Sequence, residues 1–209
     1  TAGGAGLRNV QPLFAELADG GIAVAHNGNL TNAMTVQRTL QKQGSIFTST
    51  SDTETILHLV ATSREKDINS RFTEAVQQLE GAFSLVALTA KKMIGCRDPL
   101  GIRPLVLGDL DGSWILASET CALDIIGARF VRDIKPGEMV VVTEKGIESF
   151  FPFEPQKPRF CIFEYVYFAR PDSSVEGRNV YGVRKNIGVE LARENPVDAD
   201  IVVPVPDSG

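Results

Sequence analysis

The 209-residue sequence predicts a layered α+β domain followed by a second segment. Two observations predict the first part. Helical patterns come early, at residues 32–43, 51–60 and 70–80, and strand patterns cluster after them, with one helix returning at 121–126. Helices and strands segregated in this way read as α+β rather than as alternating βαβ units. A third observation places the boundary. Pro152, Pro155 and Pro158, with Glu154 and Lys157 between them, form a stiff polar linker. The expected division is a domain over 1–151, a linker over 152–159 and a second segment over 160–209.

Composition supports a packed interior, with 43% hydrophobic and 22% charged residues. The net charge is −5, with no Lys/Arg cluster, which argues against a nucleic-acid or anionic-membrane partner. No apolar run approaches the ~20 residues of a membrane span. These residues show no signal-peptide pattern, so none is expected, and residue 1 is not Met. Cys96, Cys121 and Cys161 are odd in number and widely spaced. That is a reducing-compartment pattern, so a cytoplasmic location is expected.

In order along the chain, Thr1-Ala2-Gly3-Gly4-Ala5-Gly6 reads as a flexible start. A terminal Thr using its own α-amine as base is the sharper alternative. An apolar run over 21–25 then leads into Ala25-His26-Asn27-Gly28-Asn29-Leu30-Thr31-Asn32. Asn-Gly is a common tight-turn pair, so a hairpin is one reading. The residues after Thr31 read as helix, however, and a sharp strand-to-helix turn is the other reading. Such a turn leaves backbone N–H groups unpaired. With the Asn27 amide they form the donor set that an oxyanion hole needs.

Residues 32–43 form a helix, with Thr31 as N-cap, Ala33, Val36 and Leu40 on one face and Gly44 as its stop. Ser51-Asp52-Thr53-Glu54 before Ile56, Leu57, Leu59 and Val60 is a capping box. A carboxylate there is stabilised as an anion, so Asp52 can hold a substrate ammonium. His58, among apolar neighbours, reads as packing. Residues 70–80 form a second helix, with Phe72, Val76 and Leu79 inward. Strands come next, at 82–89 and 93–97. Residues 105–107 and 113–117 flank the hairpin signal Asp111-Gly112. Pro136-Gly137 turns the chain before a strand at 139–142, and Glu144-Lys145-Gly146 turns it again. Arg97-Asp98-Pro99-Leu100-Gly101-Ile102-Arg103-Pro104 reads as structural, its glycine and prolines fixing direction and its charges tying it down.

Beyond the linker, the aromatic stretch at 160–173 reads as a strand joining two surfaces, and residues 180–193 as a helix. Residues 200–209 form a buried-strand pattern ending in a small polar loop. A Ser-Gly turn there can aim N–H groups at phosphate oxygens, or it is an ordinary strand end.

His-Asn-Gly-Asn-Leu at 26–30 resembles the oxyanion-hole turn of the N-terminal-nucleophile, class II glutamine amidotransferases. The resemblance implies a four-layer α-β-β-α sandwich. It makes Asn27 and Gly28 the oxyanion donors and Asp52, in Ser-Asp-x-Glu, the partner of the glutamine α-amino group. Thr1-Ala2-Gly3 resembles the interior of the Arg-Tyr-x-Thr-Ala-Gly glutamine loop, so Thr1 becomes a glutamine contact. The loop's Arg and the catalytic cysteine then fall before residue 1. No cysteine here replaces that nucleophile, because the mechanism needs a chain-terminal one.

The stretch around Tyr165-Val166-Tyr167-Phe168-Ala169-Arg170-Pro171-Asp172-Ser173 narrows the resemblance to the amidophosphoribosyltransferases. These transferases make 5-phosphoribosylamine from PRPP and glutamine, the first committed step of purine synthesis. The resemblance implies that 160–209 opens an α/β phosphoribosyltransferase domain, with Asp207, Ser208 and Gly209 on the pyrophosphate of PRPP. It also implies Mg²⁺, purine nucleotides as inhibitors, and a homo-oligomer, tetramer or dimer. Cys161 stands where some members place one ligand of a 4Fe-4S cluster. The chain then reads as an internal fragment, inactive alone. Two alternatives stand beside this. One is another class II glutaminase such as glucosamine-6-phosphate synthase. The other is a non-catalytic binding module of the same fold.

Overall fold

The computed structural model describes Gly4 and residues 6 to 205. The chain divides into two units, Thr1–Ile162 and Phe163–Gly209. The first contains β1 (Leu13–Leu17), β2 (Gly20–Leu30), α1 (Ala33–Lys42), α2 (Thr53–Thr62), α3 (Ile68–Gln77), β3 (Gly81–Thr89) and β4 (Met93–Arg97). It continues with β5 (Val106–Leu110), β6 (Ser113–Ala117), α4 (Thr120–Ile126), β7 (Arg129–Asp133), β8 (Met139–Thr143) and β9 (Gly146–Phe150).

All strand pairs are antiparallel. One sheet runs β1-β2-β3-β4-β8-β9 and the other β6-β5-β7. Successive side chains of a strand point to opposite faces, so each sheet can bury both. Ile22 and Val24 of β2, Leu85 of β3 and Ile94 of β4 pack with Ile56, Val60, Phe72 and Val76 of the helices. From the other face of the large sheet, Val86, Val140 and Ile147 pack with Leu107, Trp114, Leu116 and Val131 of the small sheet. The outer face of the small sheet, Val106, Ile115 and Ala117, packs on Leu123 of α4. Three separate apolar contacts therefore stack four layers: α1–α3, six strands, three strands, α4. This is the α-β-β-α order.

Several local expectations shift. β2 runs on to Leu30, so Asn27-Gly28 lies inside a strand, and the turn into α1 falls at Thr31-Asn32. The N-cap of α1 is Asn32, not Thr31; its amide bridges Gln78 O (2.8 Å) and the Glu80 N–H (3.0 Å). α3 starts at Ile68 because Asp67 caps the N–H groups of Asn69 and Ser70. The capping box is half present. Ser51 Oγ accepts the Thr53 N–H at 3.3 Å, but Glu54 turns back to the N–H groups of Thr48 (2.7 Å) and Ser49 (2.6 Å). His58 does pack, its ring 4.2 Å from that of Phe47, and its Nε2 lies 3.8 Å from Glu54. The Asp111-Gly112 hairpin forms as expected, both residues at positive φ.

In the second unit the aromatic stretch is a π-helical turn, Glu164–Phe168, not a strand. Tyr165 is buried, its hydroxyl donating to Val175 O at 2.6 Å. Arg184 donates to Tyr165 O (2.6 Å) and Ala169 O (2.8 Å), closing the turn from its C-terminal side. A two-strand ribbon comes next, β10 (Ser174–Val175) with β11 (Arg178–Asn179), then α5 (Val180–Glu194), capped by Asn179. Residues 201–205 form no strand and are exposed. Their β-prone composition has no described strand to pair with, and a strand without a ladder is not one.

Candidate active site

β1 pairs with β2 only as far as Leu13↔Val24, so the β1-side edge of β2 is open beyond that point. Loops close it instead. The His26 N–H donates to Gln11 Oε1, and the Leu30 N–H donates to Asp52 Oδ2 at 3.0 Å. Alternate N–H groups of a strand share one edge. The N–H of Gly28 is therefore directed to this same edge, between those two.

Only glycine suits position 28. Its φ is 148°, and a Cβ built there lies 2.0 Å from Ala82 O and 2.9 Å from His26 Nε2. The neighbouring strand comes too close for any side chain.

The two faces of β2 carry different chemistry. His26 points to the helix side, in the alternation of Ile22 and Val24, with its side chain sealed from solvent. Its Nδ1 lies 3.4 Å from Thr53 Oγ1 and 3.6 Å from Asp52 Oδ1. Asp52 sits at the start of α2, yet its side chain makes no cap bond there. Burial opposes its charge. The His26 ring and the Leu30 N–H outweigh that and hold the carboxyl below its usual range. Two buried polar atoms have no hydrogen-bond partner among the described residues: His26 Nε2 and Asp52 Oδ1. Buried polar atoms are normally paired, so such orphans mark a place where a ligand can supply the bond.

Asn27 points to the other face, toward the small sheet. Its Nδ2 donates to Ser118 Oγ at 3.2 Å, and its Oδ1 accepts from Arg103 Nη2 at 2.8 Å. Asn27 pairs across the ladder with Ser84, and Ser84 with Arg97. This polar row holds the loop at 98–104. Arg97 donates to the carbonyls of Arg103 (2.8 Å), Gly101 (3.0 Å) and Ile134 (2.8 Å). Asp98, wholly buried, accepts from the N–H groups of Leu100, Ile102, Arg103 and Phe83. The structural reading of this motif holds, and Arg103 adds a contact that reading missed.

The arrangement offers a carboxylate oxygen without a hydrogen-bond partner among the described residues on one side of a strand, and N–H donors at its edge and opposite face. It suits a ligand carrying an ammonium and a carbonyl that turns anionic. Of the expected residues, Asn27 and Gly28 lie on β2, and Asp52 is tied to the same strand through the Leu30 N–H. Thr1, Asp207, Ser208 and Gly209 lie outside the described residues. Sequence reasoning gave no role to His26, Ser118 or Gln11, and gave Arg103 only a structural one. His26 was findable, because alternation from Ile22 and Val24 turns it inward. Arg103 and Ser118 come from distant segments.

The thiols do not complete the site. Cys96 is fully buried, and burial, with the Asp98 charge, pushes its thiol far up. Cys121 is buried and Cys161 half-exposed. Among the described residues no group of three or more His, Cys, Asp or Glu could hold a metal ion. A 4Fe-4S cluster takes about four ligands, so Cys161 as one of them would need partners outside the described residues. Among them, too, no helix is long and apolar enough to cross a membrane.

The chain resembles known proteins throughout. The amidophosphoribosyltransferase of Rhizobium etli is 57% identical over all of this chain, which covers 43% of that protein. The chloroplastic amidophosphoribosyltransferase of Glycine max is 49% identical, with 37% of it covered. A solved structure of glutamine phosphoribosylpyrophosphate amidotransferase from B. subtilis, complexed with ADP and GMP, matches 98% of the chain and 45% of its own length, with 41% identity and a TM-score of 0.94. The chain thus spans less than half the length of these relatives. Residues 7–124, which contain Asn27, Gly28, Asp52 and Arg103, match the glutamine amidotransferase domain. The chain belongs to the glutamine amidotransferase domain family.

Proposed function

We propose that the first unit is the glutamine-hydrolysing part of an amidophosphoribosyltransferase. The observation that carries this is the open edge of β2, where the Gly28 N–H falls between two N–H groups that loops close, one of them bonded to Asp52, whose Oδ1 is buried without a hydrogen-bond partner among the described residues. Glutamine fits this set. Its α-ammonium meets Asp52 Oδ1, and its side-chain carbonyl oxygen turns toward Gly28 N–H and Asn27 Nδ2. Attack on that carbonyl moves negative charge onto the oxygen, and donors already in place stabilise it. The nucleophile is expected to be a chain-terminal cysteine, because the mechanism the resemblance implies needs one; Cys96 and Cys121 are moreover buried. Thr1 belongs to the same glutamine site in this reading.

Ammonia released here would displace pyrophosphate from PRPP, giving 5-phosphoribosylamine, with Asp207, Ser208 and Gly209 on the pyrophosphate. Mg²⁺ bound with PRPP would neutralise its phosphates; the described residues contribute no group to hold it. The domain division at 152–159, the cytoplasmic location, the homo-oligomer and inhibition by purine nucleotides belong to the same reading. The ADP and GMP in the B. subtilis relative support the last. The test uses the full-length gene product with PRPP and Mg²⁺. Pyrophosphate release is expected with either glutamine or ammonia as nitrogen donor. A preparation that binds PRPP but releases pyrophosphate with neither removes the proposal.

A further inference from the structure

A carboxamide is nearly symmetric in shape. Rotated by a half-turn about its last bond, Asn27 would present an oxygen where the oxyanion needs an N–H. Something must choose between the two orientations. The edge of β2 cannot, because the side chain leaves the strand toward the small sheet. Ser118 cannot either, since a hydroxyl donates or accepts with equal ease and would take the amide either way round.

Arg103 can. A guanidinium only donates, so of the two ends of the Asn27 amide only Oδ1 can face Arg103 Nη2 (2.8 Å) and Nε (3.3 Å). The other orientation would set N–H against N–H. Arg103 is itself held. Its carbonyl accepts from Ser84 Oγ (3.1 Å) and Arg97 Nε (2.8 Å), and its N–H reaches Asp98 Oδ2 (3.3 Å). Ser84 and Arg97 stand beside Asn27 in the same cross-strand row. The row that carries the donor thus carries the anchor of the group that orients it.

We infer that Arg103 is the positioning residue of the oxyanion hole, fixing the Asn27 carboxamide with Nδ2 toward the substrate oxygen. This rests on the glutaminase reading and adds a residue to it. A charged donor on Oδ1 also polarises the amide and strengthens Nδ2 as a donor.

The test uses the full-length enzyme and four variants: Asn27→Ala, Arg103→Gln, Arg103→Lys and the double Asn27→Ala/Arg103→Gln. Glutamine- and ammonia-dependent rates and Tm are measured on each. Gln both donates and accepts, so Arg103→Gln frees the amide to rotate. Its glutamine-dependent kcat is expected to fall roughly tenfold, less than the ~10²–10³ a whole oxyanion donor is worth. KM for glutamine, the ammonia-dependent rate and Tm should hold. Arg103→Lys, still a pure donor, should restore most of kcat. The double variant should be no slower than Asn27→Ala, because Arg103 acts only through Asn27. Additive losses, equal loss of both rates with a lowered Tm, or an unchanged kcat in Arg103→Gln beside an impaired Asn27→Ala would overturn the inference and leave the glutaminase reading standing. An unimpaired Asn27→Ala would sink both.

Discussion

The two faces of β2 at residues 26 and 27 are finished differently. On the helix side, His26 Nε2 and Asp52 Oδ1 are buried without hydrogen-bond partners among the described residues. On the small-sheet side, Asn27 is engaged through both ends of its amide, and the Ser84–Arg97 row holds the loop behind it. An unmet bond in a protein interior is costly, roughly 1–3 kcal/mol per group. In the proposed reading the difference separates two tasks: the group that receives a ligand is left incomplete, and the group that holds still while charge develops is completed by its neighbours.

The largest effect should come from the completed face. In the proposed reading, Asn27→Ala in the full-length protein removes a donor whose contact strengthens in the transition state. The loss should fall on kcat, by about 10²–10³, more than on KM. Ammonia from solution bypasses the site, so the ammonia-dependent rate should stay near wild type. A parallel fall in both rates, with a lower melting temperature, would make Asn27 only a strand residue.

The incomplete face should respond in KM. Asp52→Asn keeps the size and removes the charge proposed for the glutamine ammonium. A charge-assisted hydrogen bond is typically worth about 1.5–3 kcal/mol. KM for glutamine should rise roughly 10–150-fold with kcat less affected. If KM stays level while thermal stability drops, Asp52 serves only the fold.

The smallest effect tests whether carboxylates away from β2 are purely structural. Glu54 and Glu138 are both held below the usual glutamate value of 4.5. Burial opposes their charge; the Ser49 and Thr48 groups outweigh it at Glu54, and Arg132, Ser149 and the Lys135 N–H at Glu138. A lowered folded value means stability that is full above 4.5 and lost as pH falls through the folded value. Glu138→Gln should lower Tm at neutral pH and flatten the decline of Tm in acid, leaving KM for glutamine unchanged. An acid limb as steep as that of wild type would show that Glu138 contributes nothing to it.

How much of this could be read beforehand depended on range. The helix at 32–43, the strands at 82–89 and 93–97, and the hairpin at Asp111-Gly112 are local patterns, and the sequence carries them. Strand β7, at Arg129–Asp133, shows no clean alternation, and its pairing with β5 is irregular between Leu107 and Gly108. The π-helical turn at Glu164–Phe168 looked like a strand because aromatic, β-branched runs suit both until tertiary bonds choose. Here Arg184 and the Tyr165 hydroxyl choose. At the candidate site, Asn27, Gly28 and Asp52 stand out in the sequence through two local motifs, 26–30 and 51–54, and their roles belong to the proposed function. Arg103 does not stand out in this way, because its role is a contact across 76 positions of sequence. Nothing local in Gly101-Ile102-Arg103-Pro104 says which strand its guanidinium will meet.

Gly28 has a consequence for heredity as well as for shape. Every substitution at that position adds a Cβ, and every Cβ meets the Ala82 carbonyl at 2.0 Å. No larger or more flexible side chain escapes, since the collision is with backbone and precedes any rotamer. Gly112 also lies at positive φ, at 86°, but nothing stands within 4 Å of its missing Cβ. There a substitution costs only the backbone conformation, about 1–3 kcal/mol, and Asn or Asp adopts it readily. In a saturation library selected for the proposed activity, position 112 should therefore return a short spectrum of residues. Position 28 should return glycine and its synonymous codons, so that selection there is visible only in the DNA.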